Sequence, residues 1–168
     1  MKLSELMAKI PVPSATFEGD VTNDDMCLAI DISEGQKETF GNYVVVQGKV
    51  EGVDSSINPK TAESTYIREG QSTTKTGTQR SFKVTGARRI GSAFQDYLFS
   101  TDALYSVGEK AIVKYVWFCL LNGVGEKGKV SILVNSDSAG NAGDDAGFDV
   151  ELRKTGDKPE KYVYNALD

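Results

Sequence analysis

The chain has 168 residues, a formal net charge of −5, two cysteines and no histidine. That length predicts one domain, able to bury about 70% of its unfolded surface without covalent staples. The missing histidine excludes histidine-based triads, metal sites and general bases, and the acidic balance excludes an ordinary, basic nucleic-acid-binding domain.

Cys27 and Cys119 are far apart and lack metal or redox spacing. They are either buried free thiols in a reducing compartment or one long-range disulfide. No apolar run approaches the length of a membrane span, and Glu5 interrupts an N-terminal apolar region too short for a secretory signal. The chain is therefore expected to be soluble and cytoplasmic when made.

Leu3, Leu6, Met7 and Ile10 fall at i, i+3, i+4 and i+7, and Pro11 and Pro13 forbid continuation. The spacing predicts a short amphipathic helix over residues 2–10. It is either a cap on the domain's own core or an arm that docks on another subunit. After a linker-like stretch to residue 25, Leu28, Ile30 and Ile32 alternate as a strand, and residues 33–41 make a polar turn.

Residues 42–53 alternate again. Val44, Val46 and Val50 share one parity with Gly48 and Gly52, while Tyr43, Val45, Gln47, Lys49 and Glu51 share the other. From residue 54 to 77 the chain offers only Ile57, Tyr66 and Ile67 as sizeable apolar anchors. Such a loop is expected to be functional or disordered, and to take its shape from a neighbour because it covers little apolar surface itself. Phe82 and Val84 then share one face of a second strand, with Ser81, Lys83 and Thr85 on the other, paired antiparallel with the first.

Ser92 followed by Gln95 has capping-box spacing, which predicts a helix from about Ala93 with Phe94 and Leu98 on one face. Residues 100–108 add a further helical turn with Leu104 and Tyr105 inward. Residues 111–121 are apolar on both parities apart from Lys114, as in a strand buried on both faces. One face meets the core; a loop or a partner covers the other.

A glycine-rich turn at 122–128 leads to a strand with Val130, Ile132 and Val134. The loop at 136–147 carries Asp137, Asn141, Asp144 and Asp145 without EF-hand spacing, so it reads as solvated. Phe148, Val150 and Leu152 alternate in another strand. Residues 155–159 turn the chain toward Tyr162 and Tyr164, in a last strand or extended arm.

The sum is mainly β: an antiparallel β-sandwich or barrel with one flanking α-helix, a long hairpin loop and terminal arms. The chain reads as a single domain, 1–168, with an N-terminal helix and arm at 1–25, the long loop at 54–77 and a C-terminal extension at 155–168.

No enzyme chemistry and no cofactor is expected. The carboxylate pairs Asp24 with Asp25 and Asp144 with Asp145 sit in polar loops, and Gly123, Gly125 and Gly128 lack the strand-to-helix context of a phosphate cradle. Residues 75–89 hold Lys75, Arg80, Lys83, Arg88 and Arg89 with no acid between them. Three readings stand: a nucleic-acid patch, which lacks interleaved aromatics; a basic interface complementary to the acidic stretches 18–25 or 144–151 of an identical neighbour; or a solvated face.

The run Gln79-Arg80-Ser81-Phe82-Lys83-Val84-Thr85-Gly86-Ala87-Arg88, followed by Gly91 and Phe94-Gln95-Asp96, resembles the central motif of the major tail tube proteins of long-tailed bacteriophages. Gly48-Lys49-Val50-Glu51-Gly52-Val53 and the long polar loop after it are similar to that family too. The resemblance spans about a third of the chain, residues 43–99.

It implies a virion tail, or a phage-tail-like particle, made in the host cytoplasm: six subunits per ring, sheets joined into an inner barrel, and rings stacked as a tube through which DNA passes without specific binding. Implied partners are other copies of the chain, tape measure and tail terminator or tip proteins, and a sheath protein where the tail contracts. No membrane is involved. The loop, with Asp54, Ile57, Asn58, Lys60, Tyr66, Ile67, Arg68 and Lys75, is expected to lie against an adjacent subunit or ring and to order on assembly. Parity turns Gln47, Lys49, Glu51, Ser81, Lys83, Thr85, Asp149 and Glu151 toward the bore. Lys49 and Lys83 would retard DNA there unless acids of the same sheet pair with them. The alternative is a β-sandwich binding module, an adhesin or carbohydrate-binding domain using its long loops, although Trp117 sits in the strand that reads as buried.

Overall fold

The computed structural model describes residues 1–33 and 42–164. The polar turn expected at 33–41 and the end of the C-terminal extension lie almost wholly outside the described residues. The strands are β1 (Met26–Asp31), β2 (Tyr43–Val45), β3 (Val50–Ser56), β4 (Pro59–Tyr66), β5 (Gly70–Thr78), β6 (Ser81–Ala87), β7 (Ile112–Cys119), β8 (Val124–Ala139) and β9 (Gly147–Val163). Three short helices accompany them: α1 (Leu3–Met7), α2 (Ala93–Leu98) and α3 (Thr101–Leu104).

Seven strands form one antiparallel sheet in the order β2-β1-β7-β8-β9-β6-β3, and β4 with β5 forms a separate ribbon. The two edge strands, β2 and β3, are consecutive in the chain. Five residue steps span at most about 17 Å, whereas the edges of a flat seven-stranded sheet lie roughly 29 Å apart. The sheet must therefore curl until its edges face each other, and Val46, Gln47, Gly48 and Lys49 bridge the seam. Residues 42–53 are thus two strands and not one. Positive φ at Gly48 (94°) and Lys49 (55°) breaks the alternation that the sequence suggests.

The inner face of the curled sheet holds the main core. Leu28, Tyr115, Trp117, Phe82, Val84, Val130, Val150 and Leu152 converge there, closed off by Phe94 and Leu98 of α2. Each fully buried side chain of this kind contributes roughly 1.5–3 kcal/mol. β7 also buries its other face. Val116 and Phe118 join Cys27, Ala29 and Val45 in a second cluster beneath Leu3 and Met7 of α1. The end of β9 completes that cover, with Tyr162 edge-on to Phe118 at 5.4 Å and Tyr164 stacked on it at 6.1 Å. The apolar face that needed a loop or a partner is covered by the chain's own two ends.

Three local expectations are corrected. Residues 155–159 do not reverse the chain: β9 continues through them, but Gly156 (φ 68°) to Pro159 bulge out of the ladder between Thr155, opposite Lys129, and Glu160, opposite Lys127. Only Asn122 and Gly123 turn in the glycine-rich stretch. Gly125 and Gly128 lie inside β8, and a Cβ on Gly125 would run into the β7 backbone at Trp117 and Phe118. Tyr105 points outward, exposed after α3. The cysteines are free and buried. Cys27 pairs in register with Phe118 and Cys119 with Met26, so adjacent parity sends the two thiols to opposite faces of the sheet and out of bonding reach.

Candidate functional site

The stretch expected to be a shapeless loop is a two-stranded ribbon. β4 and β5 pair from Pro59 with Thr78 to Tyr66 with Gly70, with one bulge between Lys60 and Thr61. β4 is exposed throughout, and so is β5 except for half-buried Gly77. The alternation was concealed because both faces are polar: Thr, Ser, Glu, Gln and Lys give period two no hydrophobic contrast. Asn58 builds the root. Its φ of 45° turns the chain out of β3, and its Nδ2 donates to Gln79 O at 3.1 Å and to Ser81 Oγ at 2.8 Å. At the apex Arg68 (φ 69°) and Gly70 (φ 80°) close the turn and leave Ile67 in solvent. Asp54 and Ile57 belong to the root, whereas Lys60, Tyr66, Ile67, Arg68 and Lys75 belong to the ribbon.

The outward face of β8, β9, β6 and β3 carries Lys83, Thr85, Asp149 and Glu151 in one cross-strand field, with Lys83 opposite Glu151 and Thr85 opposite Asp149. Lys83 Nζ lies 3.2 Å from Asp149 Oδ2, and Arg153 Nε 2.7 Å from Glu151 Oε1. Lys49 Nζ reaches Asp145 Oδ2 at 2.8 Å, and this hydrogen bond and charge hold the Asp145 carboxyl below its ordinary range. Both lysines that stood against a bore-lining face are thus paired with acids. Ser81 drops out of the set because it is buried under Asn58. Gln47 and Lys49 sit in the seam, and Glu51 lies in the β3 bulge beside β6, between Val50 opposite Gly86 and Gly52 opposite Thr85.

The basic segment is not one surface. Arg80 folds inward over Phe82, with its Cζ 4.7 Å from the ring centroid and its Nε 2.8 Å from Glu126 Oε1. That contact is an ion pair lying off the N–H direction. Tyr115 Oη donates to the same oxygen at 2.9 Å, and burial, then Glu126, pushes its ionisation far above the usual tyrosine range. Arg88 stacks on Phe99 at 4.7 Å and pairs with Asp96 at 3.4 Å. Among the described residues only Lys75 and Arg89 of the five remain exposed without an ion pair, so the neighbour-binding reading loses Arg80, Lys83 and Arg88 to internal partners. Of the N-terminal set, Leu3 and Met7 are buried on the chain's own second cluster, with Leu6 and Ile10 packed at its margin.

Gln95 is a residue whose role the sequence disguises. The capping-box spacing is real, but its reciprocal bonds are not made. Ser92 Oγ donates instead to Gln47 O at 3.1 Å. Gln95 is fully buried, and its amide ties the seam to the end of β6: Nε2 donates to Gly48 O (2.6 Å) and Ala87 O (3.1 Å), while Oε1 accepts from Arg89 N (2.7 Å) and Arg88 Nη1 (3.3 Å). Gly86 makes room for this junction, since a Cβ there would strike the backbone of Lys49 and Val50.

The described residues contain no group of three or more metal-ligating side chains. No helix among them is long and apolar enough to cross a membrane. What the molecule offers is surface: a projecting ribbon, a charge-paired sheet face and a helical corner.

Among the solved structures similar to this chain, two share its fold. The first is the tail of an empty gene transfer agent particle, solved by helical refinement under C6 symmetry, with a TM-score of 0.55, 13% identity, and coverage of 87% of this chain and 100% of that one. Its fold is shared with that tail. A chain of the native gene transfer agent virion matches with a TM-score of 0.55 and 14% identity over 87% of this chain and all of its own. A chain of a sheath–tube complex, from an extracellular contractile injection system in its extended state, gives a TM-score of 0.45 at 12% identity over 98% and 99% of the two chains. No protein-family profile and no curated protein matches the sequence.

Proposed function

We propose that this chain is the structural subunit of a phage-type tail tube. Copies join side by side into six-membered rings, and the rings stack into a hollow tube through which DNA passes. The observation that carries the reading is the ribbon. A two-stranded ribbon exposed on both faces and both edges is marginal alone, so its natural state is against another surface, and a fold shared with a gene transfer agent tail supplies the kind of surface.

In this reading the Lys83, Thr85, Asp149 and Glu151 field lines the bore. Its cations are each matched by an acid, so phosphates meet no free positive charge and DNA slides without being held. A glycan-binding module is disfavoured, because Trp117 lies inside the core and offers no platform. Negative-stain microscopy of purified protein at rising concentration tests the proposal. Rings and tubes about six subunits in circumference are expected, and removal of residues 59–78 leaves a folded protein that forms none. A wild-type chain that stays monomeric throughout, or a shortened chain that forms normal tubes, overturns it.

A further inference from the structure

The ribbon is held to the barrel at its root, since β4 is exposed along its whole length and β5 except at half-buried Gly77. At the root the ladder breaks. Ser56 opposite Ser81 ends the β3–β6 pairing and Pro59 opposite Thr78 opens the ribbon, so Ile57 and Asn58 on one arm and Gln79 and Arg80 on the other belong to neither sheet. The eight residues of β4 carry the apex roughly 26 Å beyond this break, so a swing of about 20° at the root displaces the apex by roughly 9 Å.

Two side chains hold the root, and they act differently. The Asn58 amide donates to Gln79 O and Ser81 Oγ, both on the returning arm of the same hairpin, and Gln79 N donates back to Ile57 O at 3.0 Å. These contacts fasten arm to arm and leave the angle between ribbon and barrel open. Arg80 reaches further. Its side chain, 11% exposed, enters the barrel, where its Cζ stands 4.7 Å from the Phe82 ring centroid and 6.0 Å from that of Trp117, and its Nε meets Glu126 Oε1 at 2.8 Å.

Trp117 and Glu126 belong to β7 and β8, which are not sheet neighbours of β6, because β9 lies between. The core holds both anchors still: Tyr115 donates to the same Glu126 oxygen, and the Phe82 ring packs on Tyr115 at 5.2 Å and on Trp117 at 5.3 Å. A largely buried ion pair gains little stability over an apolar pair of the same volume, whereas a stacked, paired guanidinium is exacting in direction.

We infer that Arg80 is a strut: braced on Glu126, Phe82 and Trp117, it sets the direction in which the ribbon leaves the barrel in the free chain, before any partner is met. The strut acts within one copy. Its use rests on the self-assembly reading above, because a ribbon already aimed loses less conformational freedom on contact.

The test separates direction from stability. Arg80→Met with Glu126→Gln keeps apolar packing on Phe82 and an acceptor for Tyr115 but removes both charges. Nitroxides on Thr73→Cys of the ribbon and Lys129→Cys of β8, both exposed positions, report the ribbon's direction by pulsed electron paramagnetic resonance, since the native cysteines are buried. The wild-type background is expected to give one narrow distance distribution, and the double variant one wider by at least about twofold, with a Tm near that of wild type. Arg80→Lys, which keeps the cation but loses the planar stack, is expected to widen it too, and replaces the double variant should that fail to fold. A distribution that stays narrow in the folded variant, or a wild-type one as wide as the variant's, overturns the strut. The double variant should also need several-fold more protein to form tubes. Unimpaired tubes from a variant whose ribbon has lost its direction overturn the strut's use and leave the tube reading standing. A wild-type chain that forms no tubes overturns the tube reading, and the distances alone then decide the strut.

Discussion

Replacing Gln95 with leucine tests whether one buried amide locks the barrel seam. The native side chain makes four hydrogen bonds from a position with no solvent exposure. Leucine keeps most of the volume but removes both donors and the acceptor. Gly48 O, Ala87 O and the Arg89 N–H then lose the partners this amide gives them, while Arg88 is less affected because it retains Asp96 and Arg89 O. At about 1–3 kcal/mol for each buried group left unpaired, offset by the added apolar burial, the net loss is about 3 kcal/mol. For a chain of this length that lowers Tm by roughly 6–12 °C. Thermal and urea unfolding followed by far-ultraviolet circular dichroism measure it, with Ser92→Ala, which removes one half-exposed bond, as the milder comparison. Amide exchange should accelerate at Arg89 before it does in β7. A Tm within about 2 °C of wild type would show that water replaces the amide and that the seam is held elsewhere.

Glu126→Gln leaves the largely buried Arg80 guanidinium without its counter-charge and weakens the acceptor of Tyr115, so a loss of roughly 3 kcal/mol is expected; adding Arg80→Met to Glu126→Gln, which keeps an acceptor for Tyr115, should recover most of it, measured by urea unfolding. Burial pushes the Cys27 thiol up to about 12, so it should react with a thiol reagent at pH 8 only after denaturant is added, and fast labelling of the native protein would contradict its place under α1. The Asp145 carboxyl is held low in the folded state by Lys49, so its contribution is present above the unfolded pKa of about 4 and is lost as pH falls through the lower folded value. Asp145→Asn should therefore flatten the wild-type decline in stability below pH 4, and an unchanged acid limb would show that the pair is absent in solution.

The strands with one apolar face were legible from period two alone: Phe82 with Val84, and Phe148 with Val150 and Leu152, face the core as their spacing requires. Helix α1 was equally plain from Leu3, Leu6, Met7 and Ile10. Legibility failed where the pattern carries no contrast. β4 and β5 alternate polar with polar, so a regular ribbon looked like a loop. The break at Gly48 and Lys49 was hidden because valines continue on both sides of it. The bond partners of Gln95 and Arg80 lie at sequence separations of up to 47 residues, where only tertiary structure brings them together.

The same reasoning explains why the basic run 75–89 misled. An uninterrupted series of cations looks like a surface built to attract, but strand geometry turns alternate residues to opposite faces and each meets a different environment. Arg80 and Lys83 differ by three positions and so lie on opposite sides of the sheet plane, one in the core beside Glu126 and the other in the outer field beside Asp149. Arg88 follows the end of the strand and is taken by α2. What remains exposed without an ion pair among the described residues is Lys75 on the ribbon and Arg89 beside Ile90, at opposite ends of β6. A polar run along a strand therefore distributes its charges instead of concentrating them, and only at strand ends, where the ladder stops, are the side chains of turns and corners no longer sorted by the sheet.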